Sequence, residues 1–220
     1  MKIIITGTSS GIGRRAAVRF IEQDHFVYGI DSQDPSIASP NYVHFKVDIR
    51  DALNLPEITD ADVLINNAGT QNSGADIEIN LKGTINVTEK YVASNTGLAS
   101  VLFNASASSI TGQEFPEYAA SKAGVVGYMK NVPVRLAPRG VTVNALSFGG
   151  VYTESNDPVI SDEESFKKIM AVTPMKKWMS EDEAADWMIF MTLVNRSMSG
   201  QNLLIDNGET NLNPTFVWKD

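Results

Sequence analysis

The sequence predicts an α/β protein: one doubly wound domain in which helices flank a mainly seven-stranded parallel sheet. Three observations lead to this prediction. Short β-rich apolar runs alternate with helical patterns along most of the chain. The 220 residues are enough for one sizeable core and short for two. No linker, repeat or low-complexity tract divides the sequence, so we treat residues 1–220 as a single domain.

Seven short segments have the composition of buried strands, with aliphatic and aromatic residues bounded by polar or turn-forming ones. They are residues 2–5, 26–30, 43–47, 63–65, 100–104, 141–146 and 202–205. Seven strands of this length fit one doubly wound sheet.

Three longer segments place apolar residues three and four positions apart, which is the spacing of a helix that faces a core. They are residues 12–23, 79–94 and 118–136, and Pro133 is expected to bend the last of them near its end. Residues 31–40, which contain several Ser, Asp and Pro, are expected to form a surface loop.

Two further helices are predicted from capping boxes, in which a serine and a glutamate three positions later satisfy free backbone donors. The pairs are Ser161 with Glu164 and Ser180 with Glu183. The apolar segment 187–194 has about half the length that a membrane span needs, so it predicts a buried helix.

The composition limits the class of ligand. The formal net charge of -8 gives a surface that repels phosphate backbones, so we expect no nucleic acid and no membrane as partner. Cysteine is absent, which excludes thiolate zinc sites and thiol nucleophiles, and redox chemistry must then come from a cofactor. His25 and His44 lack metal-ligand spacing, so no metal site is expected. The short apolar start predicts no signal peptide and hence a cytoplasmic location.

A glycine-rich turn follows the first predicted strand and leads directly into the first predicted helix. Its glycines lie where such a turn must approach a ligand closely. Backbone N–H groups at the helix start would face a pyrophosphate. A tight turn kept for packing is the alternative interpretation. The turn reads Thr6-Gly7-Thr8-Ser9-Ser10-Gly11-Ile12-Gly13.

Asp31 closes the second predicted strand. A carboxylate there can accept hydrogen bonds from the adenosine ribose hydroxyls and would repel a 2′-phosphate, which favours NAD over NADP. The alternative is that Asp31 only opens a turn with Ser32 and Asp34.

Four later motifs follow the glycine-rich turn along the chain in a fixed order. The turn and these motifs together resemble the short-chain dehydrogenase/reductase family over residues 2–208. The resemblance implies a Rossmann-type fold and hydride transfer on CH–OH groups with a nicotinamide dinucleotide. The likeness is to 3-oxoacyl-carrier-protein-reductase-like members in a shortened form. The motifs are Asn66-Asn67-Ala68-Gly69, Asn80, a serine cluster from Ser106, and Tyr118-Ala-Ala-Ser-Lys122.

The resemblance also implies which residues contact the dinucleotide. Asp48 matches the family position that contacts the adenine ring, and Val151 and Thr153 are expected near the carboxamide. The full set expected to bind the cofactor is Gly7, Ser9, Ser10, Gly11, Ile12, Gly13, Asp31, Asp48, Ile49, Asn67, Ala68, Gly69, Tyr118, Lys122, Val151 and Thr153.

Two features depart from the family pattern. Phe148 stands where the family usually has proline after the sixth strand, which can change the stiffness of the loop beside the nicotinamide. The segments between Asp48 and the fourth strand and between Gly69 and Asn80 are short. We therefore expect two elements to be cut back, that is, shorter than in the family: the crossover helix before the fourth strand, and the front of the helix that bears Asn80.

A tyrosine can donate a proton to a substrate oxygen if its acidity is raised. Bringing a phenol from a pKa near 10 to about 7 needs roughly 4 kcal/mol of stabilisation of the phenolate. Tyr118 and Lys122 lie at positions i and i+4 of a predicted helix, so the lysine charge can stand beside the phenol. The alternative interpretation is a Tyr–Lys pair on a helix surface.

The resemblance assigns the other catalytic roles. Lys122 would also bind the nicotinamide ribose, and Asn80 would hold a water chain that returns protons to Lys122. Ser106 would orient and polarise the substrate oxygen, as an oxyanion-type donor does. Ser108 is a second candidate, but its spacing from Tyr118 requires a larger deletion.

The segment 153–179 covers the substrate in the family. Phe166, Met170, Met175 and Trp178 lie in it, so an apolar or mixed substrate is expected. The resemblance further implies a homodimer or homotetramer, with contacts through the Tyr118 helix and the last strand.

Three functions stay open. The leading one is an NAD(H)-dependent oxidoreductase that acts on a secondary alcohol or ketone. A 3-oxoacyl-[acyl-carrier-protein] reductase would need a basic docking patch, which Lys167, Lys168, Lys176 and Lys177 leave open. A non-catalytic dinucleotide-sensing module would not need a proton relay.

Overall fold

The computed structural model describes residues 1–212 and contains one seven-stranded sheet in which every pairing is parallel. The strand order is β3-β2-β1-β4-β5-β6-β7, so the chain reverses direction across the sheet between β3 and β4. All seven predicted strands are present with ends shifted by two residues or fewer. They are β1 (Lys2–Thr6), β2 (Phe26–Asp31), β3 (Tyr42–Lys46), β4 (Val63–Asn66), β5 (Ser100–Asn104), β6 (Thr142–Phe148) and β7 (Asn202–Ile205).

The three helices predicted from apolar spacing are also present, and the prediction of one α/β domain is confirmed. Pro133 lies inside the third of them, which continues to Leu136. Two π-helical segments, Ile77–Gly83 and Phe190–Val194, adjoin helices. The α-helices are α1 (Gly11–Glu22), α2 (Thr84–Ser94), α3 (Ser108–Thr111), α4 (Pro116–Leu136), α5 (Asp157–Ile160), α6 (Glu163–Val172) and α7 (Glu181–Ile189). Within residues 1–212, no helix is both long and apolar enough to span a membrane.

Side chains that alternate along the strands divide the core into two layers. Ile4 of β1 packs into the layer formed with α2 and α4, where Tyr91 and Met129 are fully buried. Ile3 and Ile5 point to the opposite layer, formed with α1 and α7. Every strand from β4 to β6 is buried along its length, apart from Asn104 at the end of β5, which is why these segments read as nearly continuous apolar runs.

Two crossovers of the first half contain no helix. Residues 32–41 join β2 to β3, where a surface loop was predicted. Residues 47–62 join β3 to β4, where the short spacing had predicted a helix that is cut back. Side chains of α2 hold the second crossover: Tyr91 Oη donates to Pro56 O at 3.0 Å, and Asn95 Nδ2 donates to Ile58 O at 2.8 Å. These bonds replace the helix packing that such a crossover usually provides.

One predicted capping box is present and the other is wrong. Ser180 Oγ accepts from Glu183 N at 3.1 Å, and Glu183 Oε2 accepts from Ser180 N at 2.8 Å, at the start of α7. At α6 the N-cap is Asp162, whose Oδ2 accepts from Ser165 Oγ at 2.6 Å. Ser161 instead ends the preceding short helix, because its hydroxyl donates to Asp157 O at 2.6 Å.

The prediction that residues 187–194 form a buried helix is half wrong. The segment is helical, and Met188 and Met191 are fully buried against the sheet. Trp187 and Phe190, by contrast, are 38% and 44% exposed. The apolar residues therefore occupy both faces of this helix, and only one face reaches the core.

Candidate active site

A cleft of about 870 Å³ opens at the carboxyl ends of the strands, within the range of small-molecule sites. In open parallel sheets ligands bind at this edge, where the strand order reverses. Of the residues predicted to bind a cofactor or substrate, only Ser9 and Asn80 do not line it. Those that do are Gly7, Ser10, Gly11, Ile12, Gly13, Asp31, Asp48, Ile49, Asn67, Ala68, Gly69, Ser106, Tyr118, Lys122, Val151 and Thr153.

The turn between β1 and α1 brings backbone to the cleft where side chains would not fit. Gly7 has φ of 78°, and a Cβ there would lie 2.8 Å from Ala68 Cα. A Cβ on Gly13 would lie 2.0 Å from Gly7 O. Ser10 caps α1 without a side-chain hydrogen bond, so no side chain of the cap takes the free N–H groups of the first turn. The turn therefore fits the phosphates of a dinucleotide.

Asp31 is fixed at the end of β2 by two backbone donors. Its Oδ2 accepts from Ser9 N, and its Oδ1 accepts from Gln33 N, each at 2.9 Å. Ser9 therefore contributes its backbone to Asp31. The carboxylate remains half-buried at the cleft wall, where ribose hydroxyls could reach its free lone pairs.

Asp48 and Ile49 line the same end of the cleft after β3. The Asp48 carboxylate pairs with Arg50, whose Nη2 lies 2.6 Å from Asp48 Oδ2, and this ion pair lowers the pKa of Asp48. Arg50 was not among the residues predicted from the sequence. Its position two residues after Asp48 in the same turn could have indicated that it pairs with that carboxylate. Ile49 packs against Gly83, where a Cβ would lie 2.6 Å from its Cγ1.

The Asn67-Ala68-Gly69 segment is bonded to the end of β1. Thr6 Oγ1 accepts from Asn67 N and from Ala68 N at 3.0 Å each. Asn67 Oδ1 accepts from Asn104 Nδ2 at 2.8 Å, which joins the ends of β4 and β5. This segment forms the wall of the cleft between the glycine-rich turn and Lys122.

Asn80 is 1% exposed and lies behind that wall. Its Oδ1 accepts from Thr70 N and its Nδ2 donates to Thr70 O, both at 2.8 Å. The same Nδ2 donates to Ser121 Oγ at 2.9 Å. A Cβ on Gly69 would lie 3.0 Å from Asn80 Oδ1 and 3.3 Å from Lys122 Nζ, so Asn80 and Lys122 flank the same glycine.

Tyr118 and Lys122 meet at the centre of the cleft on α4, and Lys122 Nζ lies 5.8 Å from the centroid of the Tyr118 ring. Burial raises the pKa of Tyr118 to about 12, and a hydrogen bond with Ser106 opposes that rise. Burial lowers the pKa of Lys122 to about 8, and the nearby carboxylates of Asp76 and Glu114 oppose that fall. The sequence predicted that Lys122 lowers the pKa of Tyr118, whereas desolvation of the phenolate raises it.

Ser106 and Ser108 differ in their relation to Tyr118. Ser106 opposes the rise in the Tyr118 pKa. Its Oγ donates to Ser108 Oγ and accepts from Ser108 N, both at 3.1 Å. Ser108 is 2% exposed and begins the short helix α3. Both serines line the cleft, and of the two only Ser106 affects the pKa of the phenol.

The third wall of the cleft follows β6. Phe148, in the position expected to hold proline, is 4% exposed and ends the strand. Val151 forms a bridge with Met179, and Thr153 faces the glycine-rich turn, 3.8 Å from the Cβ position of Gly11. Beyond it, Tyr152, Phe166 and Trp178 form an aromatic cluster with ring centroids 5.2 to 6.2 Å apart.

Two carboxylates that line the cleft, Glu114 and Glu209, were not predicted from the sequence as site residues. Glu114 lines the cleft with φ of 70°, which is uncommon for a side-chain-bearing residue. Glu209 lines it from the segment after β7, and burial, followed by the charges of Asp206 and Glu114, raises its pKa. Both lie outside any recognisable motif, so tertiary structure alone brings them to the site.

Comparisons with known proteins agree with this fold. A family model described as enoyl-(acyl carrier protein) reductase matches residues 7–210. Glucose 1-dehydrogenase of Gluconobacter oxydans is 26% identical over 243 residues, which cover 95% of this chain and 91% of that protein. A 3-oxoacyl-[acyl-carrier-protein] reductase of Thermotoga maritima is 27% identical over 239 residues, which cover 93% and 96%.

Solved structures share the fold at lower identity. Thermoplasma acidophilum aldohexose dehydrogenase in ligand-free form has a TM-score of 0.87 at 23% identity, covering 99% of this chain and 97% of that one. A 4-hydroxyisoleucine dehydrogenase complexed with NADH has a TM-score of 0.84 at 21% identity, covering 96% and 99%. ElxO with NADP bound has a TM-score of 0.86 at 23% identity, also covering 96% and 99%.

Proposed function

Because the chain belongs to the short-chain dehydrogenase/reductase family, we propose that it transfers a hydride between a nicotinamide dinucleotide and a secondary alcohol or ketone. The observation that carries this proposal is the meeting of Tyr118, Lys122 and Ser106 in one cleft with the glycine-rich turn. A site that only sensed a dinucleotide would have no use for a half-buried phenol and a buried ammonium in the same cleft as a serine hydroxyl. The nicotinamide supplies or accepts the hydride when it is bound.

NAD(H) is the proposed cofactor. Similar structures hold NADH in one case and NADP in another, so the choice depends on residues of this chain. Asp31 lies at the cleft wall with both oxygens oriented by backbone donors. A 2′-phosphate at this position would meet a like charge. The backbone of residues 7–13 would hold the phosphates, and Asp48, Ile49 and residues 67–69 would line the adenosine half.

Tyr118 is the proposed general acid. Burial raises the pKa of Tyr118 to about 12, so the phenol keeps its proton at neutral pH, and donation of that proton to a carbonyl oxygen would require Lys122 to stabilise the phenolate. Ser106 would donate a second hydrogen bond to the same oxygen. Lys122 would hold a ribose and stabilise the phenolate that forms, and Asn80 would position the wall at Gly69 beside the Lys122 ammonium.

The negative charge at the substrate end of the cleft argues against the alternative function, reduction of a 3-oxoacyl-[acyl-carrier-protein]. Glu114 and Glu209 line that end, and a thioester substrate delivered on an anionic carrier would approach two like charges. Two lysines proposed for docking are already paired, Lys168 with Glu164 and Lys177 with Glu183, each at 2.6 to 2.7 Å. A small neutral substrate is therefore the better proposal, with residues 153–179 covering it.

We propose further that the protein is a homodimer or homotetramer. Trp187 and Phe190 expose apolar area beside β7, which lies at the edge of the sheet with one strand partner. Light scattering at micromolar concentration should show more than one subunit per particle, and a monomer would contradict this.

The test of function is NADH absorbance with a panel of small ketones and, in reverse, alcohols with NAD. The expected result is turnover by the wild-type chain and none above background by Tyr118→Phe. Binding of NADH without turnover of any panel member would favour the sensing alternative. Absence of binding to either NADH or NADPH would contradict the proposal as a whole.

A further inference from the structure

A chain of hydrogen bonds runs behind the adenosine end of the cleft. Thr8 Oγ1 lies 2.8 Å from Tyr42 Oη, Tyr42 Oη lies 2.9 Å from His44 Nδ1, and His44 Nε2 lies 2.9 Å from Gln33 O. Thr8 belongs to the glycine-rich turn, and Gln33 belongs to the loop that follows Asp31. The chain therefore joins the two segments that form the wall at Asp31.

The donors and acceptors in this chain have one consistent order. Gln33 O can only accept, so His44 Nε2 donates to it, and in the tautomer with its proton on Nε2 the Nδ1 atom is an acceptor. Tyr42 Oη then donates to His44, and Thr8 Oγ1 donates to Tyr42. Tyr42 is 8% exposed and Thr8 is fully buried, and burial raises the pKa of Tyr42, so its hydroxyl keeps its proton. Each buried hydroxyl is thereby satisfied.

Asp31 closes the chain into a ring. Its two oxygens accept from Ser9 N and Gln33 N, so the turn and the loop are joined once through Asp31 and once through Tyr42 and His44. A glycine makes room for the second connection. A Cβ on Gly29 would lie 2.2 Å from Tyr42 Oη and 2.6 Å from Thr8 Oγ1. Glycine weakens a buried strand, and close approach of another group is a recognised reason for one there.

The ring supports a loop that lacks a helix. Residues 32–41 cross from β2 to β3 without regular structure, and Ser32 and Gln33 line the cleft. Without the His44 bond to its carbonyl, Gln33 would keep its own N–H bond to Asp31 and the exposed ion pair between its neighbour Asp34 and Lys46. Loss of that restraint would let the Asp31 carboxylate rotate away from its present orientation.

We propose that Tyr42 and His44 are positioning residues that hold Asp31 and the 32–33 segment in place for the ribose of the adenosine half. This inference rests on the proposed dinucleotide function. It predicts that the pair acts on binding of the adenosine half and leaves the hydride and proton steps unchanged, because neither side chain lines the cleft.

The test uses ADP-ribose, which contains the adenosine half and lacks nicotinamide, titrated by calorimetry into the full chain. Tyr42→Phe and His44→Leu should each weaken ADP-ribose binding about tenfold, or about 1.4 kcal/mol. The KM for NADH should rise by a similar factor while kcat stays within about twofold. His44→Gln offers an N–H donor to Gln33 O again and should recover most of the affinity.

Tyr128→Phe is the matched control, since it removes a tyrosine hydroxyl that bonds Glu89 outside the cleft. It should leave ADP-ribose affinity unchanged even if it lowers the melting temperature. Equal affinities of wild type, Tyr42→Phe and His44→Leu would overturn the inference, and so would failure of His44→Gln to exceed His44→Leu. If the wild type binds neither ADP-ribose nor NADH, the proposed function fails first, and this inference fails with it.

Discussion

The two ends of the cleft differ in how exposed their charged side chains are and in the hydrogen bonds that those side chains make. At the Asp31 end, the carboxylate stays partly exposed and both of its oxygens accept backbone N–H groups. At the Tyr118 end, Lys122 is 5% exposed and its Nζ donates to Asn104 O at 3.0 Å. Burial opposes the charged forms of both Lys122 and Tyr118.

This difference indicates which end of the site reduces the stability of the fold. A partly exposed carboxylate whose two oxygens each accept a backbone hydrogen bond lowers the stability of the fold little, because these bonds replace part of its hydration. A buried ammonium with few partners lowers the free energy of unfolding and is retained when function needs it. The Asp31 end would therefore select the ligand, whereas the Tyr118 end would perform the chemistry at the expense of stability.

The largest effect is expected from Tyr118→Phe, which removes the proposed acid and leaves the shape of the cleft. Turnover should fall by about a thousandfold, within the range for loss of a general acid, while the Kd for NADH stays within about twofold. Steady-state assays combined with NADH titration measure both. A variant that keeps a tenth of the activity would show that proton donation comes from another group.

The next effect concerns stability, and Lys122→Met should raise the free energy of unfolding while removing activity. Burial lowers the pKa of Lys122 from 10.5 to about 8, which corresponds to about 3 kcal/mol at about 1.4 kcal/mol per pKa unit. Between pH 8 and 10.5 the unfolded chain binds the extra proton, so wild-type stability should rise with pH. Chemical unfolding at pH 7 and pH 9.5 measures both effects.

In Lys122→Met the contribution of this lysine to that rise with pH should be absent. Lys82→Met is the control, because Lys82 is an exposed lysine paired with Glu78. Tyr118 has the opposite dependence above pH 10, since the unfolded chain loses its phenol proton first, so the comparison stays below that pH. If Lys122→Met were less stable than wild type at pH 7, burial of the ammonium would not be the dominant cost.

A smaller effect should separate the two serines at the Tyr118 end. Ser106→Ala removes the hydroxyl that bonds Tyr118 and should lower kcat by about a hundredfold. Ser108→Ala removes a neighbouring buried hydroxyl of the same size and should cost much less. Side-by-side turnover assays of the two variants measure this, and the reverse ranking would place the substrate oxygen beside Ser108.

The smallest effect belongs to the Asp31 end. Asp31→Asn removes the charge and keeps one carbonyl acceptor, so the ratio of NADPH to NADH affinity should rise by about tenfold. Titration of both cofactors into wild type and variant gives the ratio. An unchanged ratio would mean that a group other than Asp31 repels the 2′-phosphate. If the wild type bound NADPH more tightly than NADH, the proposal of NAD as cofactor would be wrong.

The sequence alone determined the sheet, the family and the motif residues that meet at the cleft. Local pattern was enough here, because strands buried on both faces are apolar throughout and a glycine-rich turn has few other uses. The spacing from Asp48 to the fourth strand also predicted a shortened crossover helix, and in the structure that crossover contains no helix at all. The family order of the motifs selected Tyr118 and Lys122 before any geometry was known.

Tertiary structure alone decided three other matters. The Ser161 capping box failed because Asp162, one residue later, supplies the acceptor to α6, and serine and aspartate are both favoured N-cap residues. The pKa values of Tyr118 and Lys122 depend on desolvation, which spacing along a helix does not reveal. The approach of Tyr42 and His44 to Thr8 and Gln33 joins residues up to 34 positions apart, and only the packed sheet brings their polar atoms within hydrogen-bond distance.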